Sequence, residues 1–473
     1  MDDKLWNLSY TFNTDGCKAS DNSKASVWPI YLMLHDLPSY LRQKFMIVAG
    51  LWVAKSEPYM NVFLQPFIEQ ANHLSQNGFE LNHERGKSIC KLFPLGCCVD
   101  SVARCAMLNM KQYNGIFGCT YCEHPSVNIN DVRKYPMLPD VPKNRTDSRI
   151  KKQMCEAMNS SKDVVGVWGP SCLMNLKHFD LVKGMVLDFL HACLLGVTKL
   201  HCEIITSRPK QDYYVGSPAK VAIIDSRLLS IKPPTCVGKV PRSFNERRNW
   251  KGSEWLPWLL FYSIPCLKNL IPKKYLRHIA LFGTAMNILL RDSISLQMLQ
   301  TASKLLIEYV FLFEKYFGKE SMNYNVHLLL HITDSVKNWG PLWADSTFPF
   351  ENENKNVLKM KNSNHQIAKQ IVTKLLVFQQ IPDFETKEFI SDKVKEFCKN
   401  MEDSPLKNVC KINNCYLLGS NKEHALNDEE IECLKKLNVN NIVSVRKYNK
   451  LIYNKCRYST STAKNCKKTK TQL

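Results

Sequence analysis

The sequence predicts a mixed α/β protein in which the sheet-forming part is interrupted by a long helical insertion. Three observations support this fold class. The first hundred residues contain four runs of strand-forming residues, and the first run alternates apolar and polar positions. Apolar residues at helical spacing separate the third run from the fourth. From about residue 166 to 320 the composition becomes helical and aromatic, and a small tail begins at residue 383.

The first three runs are WNLSYTFNTD, SVWPIYLMLHDL and FMIVAGLWVA, and short turn-like segments separate them. They predict an antiparallel meander, followed by a helix within residues 58–81. The fourth run, SICKLFPLGCCVD, ends at Asp100 and leads into a helical segment. Three strands, a helix and a fourth strand form the opening of an RNase H-like core, whose first and fourth strands are neighbours. We therefore expect Asp15 and Asp100, each at the end of a strand, to lie side by side.

Composition divides the chain into five parts. Residues 1–125 form the first part of the core, and residues 126–165 are polar and indicate a linker or mobile loop. Residues 166–320 form the α-helical insertion. Residues 321–382 return to the core as a helix with His327 and His331 and a final helix that follows Glu351. Residues 383–473 are a separate tail with one β-like segment and a basic end, KNCKKTKTQL, that we expect to be disordered.

The charge balance indicates the kind of partner. The chain has 64 Lys and Arg against 43 Asp and Glu, a formal net charge of +21. Such an excess attracts polyanions, with nucleic acid the first candidate, while an anionic membrane surface or simple solubility stays open. The start of the chain lacks the apolar run of a signal peptide, and no apolar run reaches the roughly 18 residues of a membrane span. We expect a soluble intracellular protein whose 19 scattered cysteines are mostly small buried side chains.

Two histidines and a later carboxylate lie in the stretch YNVHLLLHITDSVKNWGPLWADSTFPFE. His327 and His331 are four residues apart, so on a helix they share one face and can reach one metal ion. Ordinary packing or surface exposure is the alternative. Leu328 occupies the position that glutamate takes in the HExxH motif, which excludes that class of zinc protease. Glu351 ends a loop of aromatic residues and prolines. A single charged residue among large apolar ones indicates a specific role for that charge.

The segment NGIFGCTYCEHP places Cys119 and Cys122 at the CxxC spacing of a tetrahedral zinc site. A redox dithiol and chance spacing are the alternatives. His327 and His331 would complete a Cys₂His₂ set.

Asp15, Asp100 and Glu351 are three carboxylates on the predicted core. Their number and type fit a two-metal site for phosphoryl transfer, because Mg²⁺ prefers oxygen ligands. Two ions about 3.5–4 Å apart can activate an attacking water or 3′-hydroxyl and stabilise the leaving oxygen.

These residues resemble the catalytic domain of CACTA (En/Spm-type) DNA transposases, within the DDE superfamily that also holds the RAG and Transib recombinases. The resemblance covers about residues 6–380. It rests on the phrases FNTDG, SVWPI, MIVAGLW, FGCTYC, LDFLH, DSRLLSIKPP, GSEWLPWLL, YNVHLLLH and NWGPLWADSTFPFE. It implies a nuclear enzyme that uses Mg²⁺ or Mn²⁺ to hydrolyse phosphodiesters at transposon ends and transfers strands to target DNA. Self-association into a homo-oligomer is compatible with this class, and no membrane role is expected.

The resemblance also assigns residues. It implies that Asp15, Asp100 and Glu351 bind the catalytic metal and that the Cys₂His₂ set binds structural zinc. LDFLH resembles the D-x-x-H signature of these transposases. We expect Asp188 and His191 to form a hydrogen-bonded pair that holds the insertion together, with a catalytic role as the alternative.

Basic residues near aromatic ones are candidates for DNA contacts, since Lys and Arg neutralise phosphates and aromatic rings stack on unpaired bases. A solvated helix face is the alternative. The candidates are Arg242, Arg247, Arg248, Trp250 and Lys251, together with Lys355 and Lys359 on the basic face of a later helix.

One departure from the family concerns the start of the chain. Transposases of this type carry a DNA-binding region ahead of the first catalytic strand, which here begins within ten residues of Met1. We expect end recognition to be lost, supplied by another protein or absent from this sequence. The alternative function is therefore a host-retained or decayed copy that binds DNA or protein without chemistry.

Overall fold

A computed structural model describes most of the chain. The described residues are 6–19, 25–83, 86–234, 237, 239–385, 391–394, 396, 409–413, 415–419, 422–436, 445–448, 450–453 and 456–459. They belong to two compact units, Met1–Leu228 with Ser243–Leu375 and Leu229–Arg242 with Leu376–Leu473. All predicted site residues except Arg242 lie in the first unit. The predicted disordered end KNCKKTKTQL lies outside the described residues.

A mixed parallel and antiparallel sheet organises the first unit, which confirms the predicted α/β class. The strands up to residue 187 are β1 (Trp6–Thr14), β2 (Cys17–Lys18), β3 (Ser26–Leu34), β4 (Ile47–Ala54), β5 (Phe79–His83), β6 (Gly86–Val99), β7 (Val127–Ile129), β8 (Val132–Lys134) and β9 (Met185–Leu187). β1, β3 and β4 form the predicted antiparallel meander. β1 then pairs in parallel with β6, and β6 pairs in parallel with β9, so the order is β4-β3-β1-β6-β9. β5 pairs with the opposite end of β6.

Helices cover both faces of the sheet and form the long segment between β9 and the return to the core. They are α1 (Ser39–Arg42), α2 (Met60–Phe63), α3 (Gln65–Gln76), α4 (Ser101–Met107), α5 (Asp147–Ser160), α6 (Lys199–Ser207), α7 (Pro218–Ser230), α8 (Gly252–Pro257), α9 (Ser263–Leu267), α10 (Lys273–Leu289), α11 (Leu296–Phe317), α12 (Tyr324–Leu328), α13 (Ile332–Trp339), α14 (Phe348–Lys359) and α15 (Ile367–Glu385). Short 3-10 helices span Cys172–Asn175, Phe244–Asn249 and Lys319–Ser321, and π-helical turns span Leu190–Thr198 and Trp258–Tyr262.

The alternation of side chains along the strands separates two cores. Phe12 of β1 packs in one core with Phe67 of α3, at a ring-centroid distance of 5.1 Å. Tyr31 of β3 packs in the other core with Phe350 of α14, at 6.3 Å. Because successive strand residues face opposite sides, one sheet holds α3 and α14 on different faces. This arrangement fixes α14 against the sheet and therefore fixes the position of Glu351.

The segment predicted as a linker, residues 126–165, contains regular structure. β7 and β8 form a hairpin, and α5 follows. Ile150, Met154 and Ala157 of α5 are buried, and the Thr146 side chain accepts a hydrogen bond from Arg149 N at the start of the helix. The linker prediction was wrong because the polar composition conceals these three apolar positions at helical spacing.

The predicted helical insertion, residues 166–320, begins before the sheet is complete. Met185, Val186 and Leu187 form β9, in register with Cys97, Cys98 and Val99 of β6. A three-residue strand is too short to show alternation in sequence. The helical part therefore begins after β9. Its first residues lie at the carboxyl end of the parallel strands, where Asp15 and Asp100 also lie.

The second unit contains more strand than the single predicted β-like segment. Four antiparallel strands form a sheet: Val409–Ile412, Cys415–Leu418, Lys450–Tyr453 and Cys456–Ser459. Lys422–Glu423 pairs with Arg446–Lys447, and Asp428–Lys436 is helical. Among the described residues of the whole chain, no helix has the length and apolar character needed to cross a bilayer.

Candidate functional site

Asp15 and Asp100 follow two adjacent parallel strands. Phe12 of β1 lies opposite Cys97 of β6, so each aspartate comes three residues after a paired position. Asn13 Nδ2 donates to the carbonyl oxygen of Cys98 at 2.6 Å, which joins the strand ends. The carboxyl ends of parallel strands are where ligands of open α/β sheets gather. The predicted neighbourhood of Asp15 and Asp100 agrees with this register.

Each aspartate also has a local structural role. Asp100 is the N-cap of α4, and its Oδ1 accepts a hydrogen bond from Ala103 N at 2.7 Å. Asp15 Oδ1 accepts a hydrogen bond from Gly16 N at 2.7 Å. In both residues these hydrogen bonds engage Oδ1, which leaves Oδ2 for other ligands.

Electrostatics shows which charged groups surround Asp15. Burial, followed by the negative charge of Asp100, raises the pKa of Asp15 to about 7, and the charge of Glu351 acts in the same direction. The hydrogen bond from Gly16 and the positive charge of His191 act in the opposite direction. Asp15 therefore lies within electrostatic range of Asp100, His191 and Glu351. These four residues come from four separate segments of the chain. We call Asp15, Asp100 and Glu351 the acidic site.

His191 connects Asp188 to Glu351. Asp188 follows β9, is 3% exposed, and has its Oδ2 2.6 Å from His191 Nδ1. Its Oδ1 accepts a hydrogen bond from Thr347 N at 3.0 Å. On the other side of the ring, His191 Nε2 lies 3.2 Å from Glu351 Oε1. The expected Asp188–His191 pair thus extends to the acidic site, 160 residues further along the chain, instead of acting within the insertion alone.

The two carboxylates keep His191 charged. Burial acts to lower the pKa of His191, but hydrogen bonds to Asp188 and Glu351 outweigh it and raise the pKa to about 11. Burial likewise acts against ionisation of Asp188, yet its bond to His191 brings its pKa below the ordinary value. An imidazolium held between two carboxylates has a fixed orientation, so Glu351 is held in place near Asp15.

Glu351 lies in the first turn of α14, where its backbone N–H donates to Thr347 O at 2.9 Å. Phe350 and Val357 face the sheet and are buried, whereas the Glu351 side chain is 39% exposed. Lys355 and Lys359 follow at intervals of four residues, are exposed, and therefore share the face of Glu351. The aromatic residues around Glu351 are explained by packing, and the predicted basic helix face extends from the acidic site.

A second cluster brings together the four predicted zinc ligands. Cys119, Cys122, His327 and His331 each offer a ligand atom, and these atoms all lie within 4.8 Å of one another. The first three are buried and His331 is partly buried. We call these residues the Cys/His cluster. Within the described part of the chain, this cluster is the one group of three or more Cys, His, Asp and Glu residues whose ligand atoms lie close enough to hold a metal ion, such as zinc. The carboxylates of the acidic site do not form a second group of this kind.

The spacing of the ligand atoms fits a tetrahedral ion. Cys119 Sγ lies 3.7 Å from His331 Nε2, and Cys122 Sγ lies 3.3 Å from His327 Nε2. The two Nε2 atoms are 3.3 Å apart. Ordinary zinc bond lengths at tetrahedral angles give about 3.6 Å for a sulfur–nitrogen edge and about 3.3 Å for a nitrogen–nitrogen edge. The side chains therefore match a zinc polyhedron.

The predicted helix that carries both histidines is interrupted. α12 ends at Leu328 and α13 begins at Ile332, with His331 at its N-cap. Two tighter turns join them, since Leu330 N donates to His327 O and His331 N to Leu328 O, both at 3.0 Å. The prediction of one continuous helix was wrong, but the turns still bring the two imidazoles together.

A buried arginine supports the CxxC loop. Arg145 Nε donates to the carbonyl oxygens of Cys119 and Cys122, at 2.9 and 3.2 Å. Its terminal nitrogens bond to Phe117 O, Val165 O and Gln153 Oε1. Gly118 belongs to the same loop, and a Cβ there would overlap the backbone of Gln112. Arg145 had no signal in the sequence beyond its charge, and it was not predicted.

The basic candidates do not form one surface. Arg242 lies in the second unit, whereas Arg247 and Arg248 lie in the 3-10 helix Phe244–Asn249 of the first. Trp250 is 6% exposed and packs against Trp255 at a centroid distance of 5.0 Å, so it cannot stack on a base. That prediction was wrong because the repeated tryptophans build the core of this segment. Lys251 and Arg248 are exposed.

No family model matches the sequence, and no curated protein shows significant similarity to it.

Proposed function

We propose that this chain is the core of a DDE-type DNA transposase, which hydrolyses phosphodiester bonds at transposon ends and joins the freed 3′-hydroxyl to target DNA. The observation that carries the proposal is the convergence at the acidic site. Asp15 and Asp100 follow the paired parallel strands β1 and β6. His191 links Glu351 to Asp188, which follows β9, the neighbour of β6 in the sheet. Three carboxylates from distant segments then share one region of negative charge.

The strand order supports the same proposal. An RNase H-like sheet has three antiparallel strands, with a fourth strand parallel to the first and a fifth parallel to the fourth. The order β4-β3-β1-β6-β9 agrees with this pattern. The long helical segment that follows β9 then corresponds to the inserted region of the proposed family.

The donor set suits a hard divalent ion, because all three side chains offer carboxylate oxygens. The three carboxylates do not lie close enough together for one shared ion as they stand. Drawn together by side-chain rotation, Asp15, Asp100 and Glu351 would hold Mg²⁺ or Mn²⁺, whose chemistry when bound is to activate the attacking hydroxyl and to stabilise the leaving oxygen. The chain contributes positioning. Asp188 orients His191, and His191 holds one oxygen of Glu351 while its other oxygen stays available.

Strand cleavage tests this proposal. The purified chain is incubated with DNA that carries the terminal repeats flanking its coding sequence, with and without Mg²⁺ or Mn²⁺. Asp15→Asn, Asp100→Asn and Glu351→Gln should each abolish metal-dependent cleavage. Glu353→Gln is the matched control, because Glu353 lies on the same helix and bonds Asn356 instead. Cleavage that persists in Asp100→Asn would overturn the assignment of the acidic site.

A second candidate function is a non-catalytic DNA-binding or protein-binding module derived from such an enzyme. The observation that favours it is the His191–Glu351 ion pair, because a carboxylate neutralised by a protein cation has less need of a metal ion. This reading predicts DNA binding without cleavage under every metal condition. It also predicts that binding is unchanged in Asp15→Asn and Glu351→Gln.

A further inference from the structure

A cationic cavity opens in the helical segment, apart from both the acidic site and the Cys/His cluster. Its volume is about 330 Å³, and residues of α6, the 3-10 helix Phe244–Asn249 and α8 line it. The lining residues are Lys199, Cys202, Glu203, Thr206, Ser207, Arg247, Arg248 and Trp255. We call this space the cationic cavity.

Positive charge dominates the cationic cavity. Three basic side chains, Lys199, Arg247 and Arg248, face one acidic side chain, Glu203, so the formal balance is +2. Within the described part of the chain, the side chains of Lys199 and Arg248 have no hydrogen-bond or ion-pair partner. Cations gathered in a concave surface raise the local concentration of anions, since the low-dielectric walls focus the field.

The Arg247 side chain is fixed in position at the cationic cavity. Its Nη1 donates to Phe244 O at 3.1 Å, and its guanidinium lies 4.8 Å from the centroid of the Phe244 ring. Phe244 is itself buried and packs on Trp258 at 5.1 Å. A guanidinium fixed in this way loses little conformational entropy when it binds an anion, and its remaining N–H groups stay free to donate.

The rest of the lining adds the Ser207 hydroxyl to these cations. Trp255 is 1% exposed and its Nε1 is buried, so its indole N–H does not face the cavity. Thr206 Oγ1 already donates to Cys202 O at 2.8 Å, so the donors left for a ligand are the three cations and the Ser207 hydroxyl. An acceptor-rich anion matches this set.

We propose that the cationic cavity binds the phosphate of one unpaired nucleotide of a DNA strand. The anion follows from the donors and the charge, and the choice of DNA rests on the proposed function. The volume lies at the lower end of the roughly 300–1,000 Å³ of small-molecule pockets, which suits one nucleotide and not a duplex. The cavity adds a DNA contact that is independent of the acidic site.

Binding without chemistry tests this proposal. A fluorescent single-stranded oligonucleotide is titrated with the full chain over a series of salt concentrations, without added Mg²⁺ or Mn²⁺ and without a chelator, so that bound zinc is kept. Lys199→Gln and Arg248→Gln should each weaken binding by about three- to tenfold and reduce the salt slope by about 0.7. Glu203→Gln should strengthen binding, because it removes the one negative charge in the cavity.

The controls separate this contact from general charge. Arg291→Gln and Lys304→Gln remove exposed cations that do not line the cavity, and they should change affinity less than twofold. A peptide nucleic acid of the same sequence lacks phosphates and should bind all variants equally. Equal affinity of Arg248→Gln and Arg291→Gln, or weaker binding by Glu203→Gln, would overturn the cavity proposal. A chain that binds through the cavity but never cuts DNA would overturn the proposed function alone.

Discussion

Replacing Cys119 with serine should remove the metal from the Cys/His cluster and open the surrounding loop. A structural zinc site supplies about 10–16 kcal/mol in small peptides, which is as large as the whole stability of an ordinary domain. Here the loop keeps the five hydrogen bonds of Arg145 without metal. We therefore expect local opening, with a loss of about 4–5 kcal/mol, and not unfolding of the first unit.

The assay combines metal content, thermal unfolding and hydrogen exchange. Mass spectrometry of the wild-type chain should find about one zinc per chain, and Cys119→Ser should have none. The melting temperature should fall by about 8–10 °C, given about 2 °C per kcal/mol for a unit of this size. Amide exchange should increase around Cys119 and His331 while that of β1 and β6 stays slow.

A buried cysteine outside the cluster provides the control. Cys105 is fully buried in α4 and is not a ligand, so Cys105→Ser should retain the zinc. The reasoning fails if Cys119→Ser keeps a full equivalent of zinc. It fails as well if zinc-free protein melts and exchanges like the wild type, because the cluster would then be ordinary packing.

Three further predictions concern stability and DNA binding. Asp15 has a folded pKa near 7 against an unfolded value of 3.8, so the native state binds the proton more tightly and stability falls as pH rises through this window. Without divalent ions, Asp15→Asn should therefore be more stable than the wild type at pH 8, by up to about 4 kcal/mol in the free energy of unfolding, and should melt at a higher temperature. The difference should vanish below about pH 4. Gly118→Ala should destabilise the protein by about 1–3 kcal/mol in a denaturant titration, whereas Gly169→Ala, which meets only an ordinary contact, should be near neutral. Changing Lys355 and Lys359 together to Gln should weaken duplex binding and lower its salt slope by about 2, and an unchanged slope would show that α14 does not contact phosphate.

The sequence predicted the local and periodic parts of the fold well. Three successive strand-forming runs, the first of them alternating, indicated the meander, and the order of three strands, a helix and a fourth strand indicated that Asp100 lies beside Asp15. The CxxC spacing and the His pair gave the Cys/His cluster. Each strand run, the CxxC pair and the His pair lies within about a dozen residues, which is the range over which side-chain period and ligand spacing can be read. The pairing of these distant segments came from the strand order and from the complementary ligand types.

Features that depend on distant partners were missed. β9 is three residues long, and its strand character comes from pairing with β6. The contact of His191 with Glu351 joins positions 160 residues apart and has no local pattern. Trp250 was predicted to stack on DNA because it lies beside several arginines. An aromatic residue in that context is equally compatible with a hydrophobic core, so the sequence does not distinguish the two roles. Only the burial of its ring separates the two.

The Cys/His cluster joins positions 212 residues apart, from Cys119 to His331, and all the helices from α5 to α12 lie between them. With a metal bound, that whole region becomes a closed loop whose ends stay fixed whatever its length. Doubling such a loop adds only about 0.6 kcal/mol of closure entropy. The helical region can thus gain or lose segments at little cost in closure entropy, while the positions of Cys119 and His331 stay fixed.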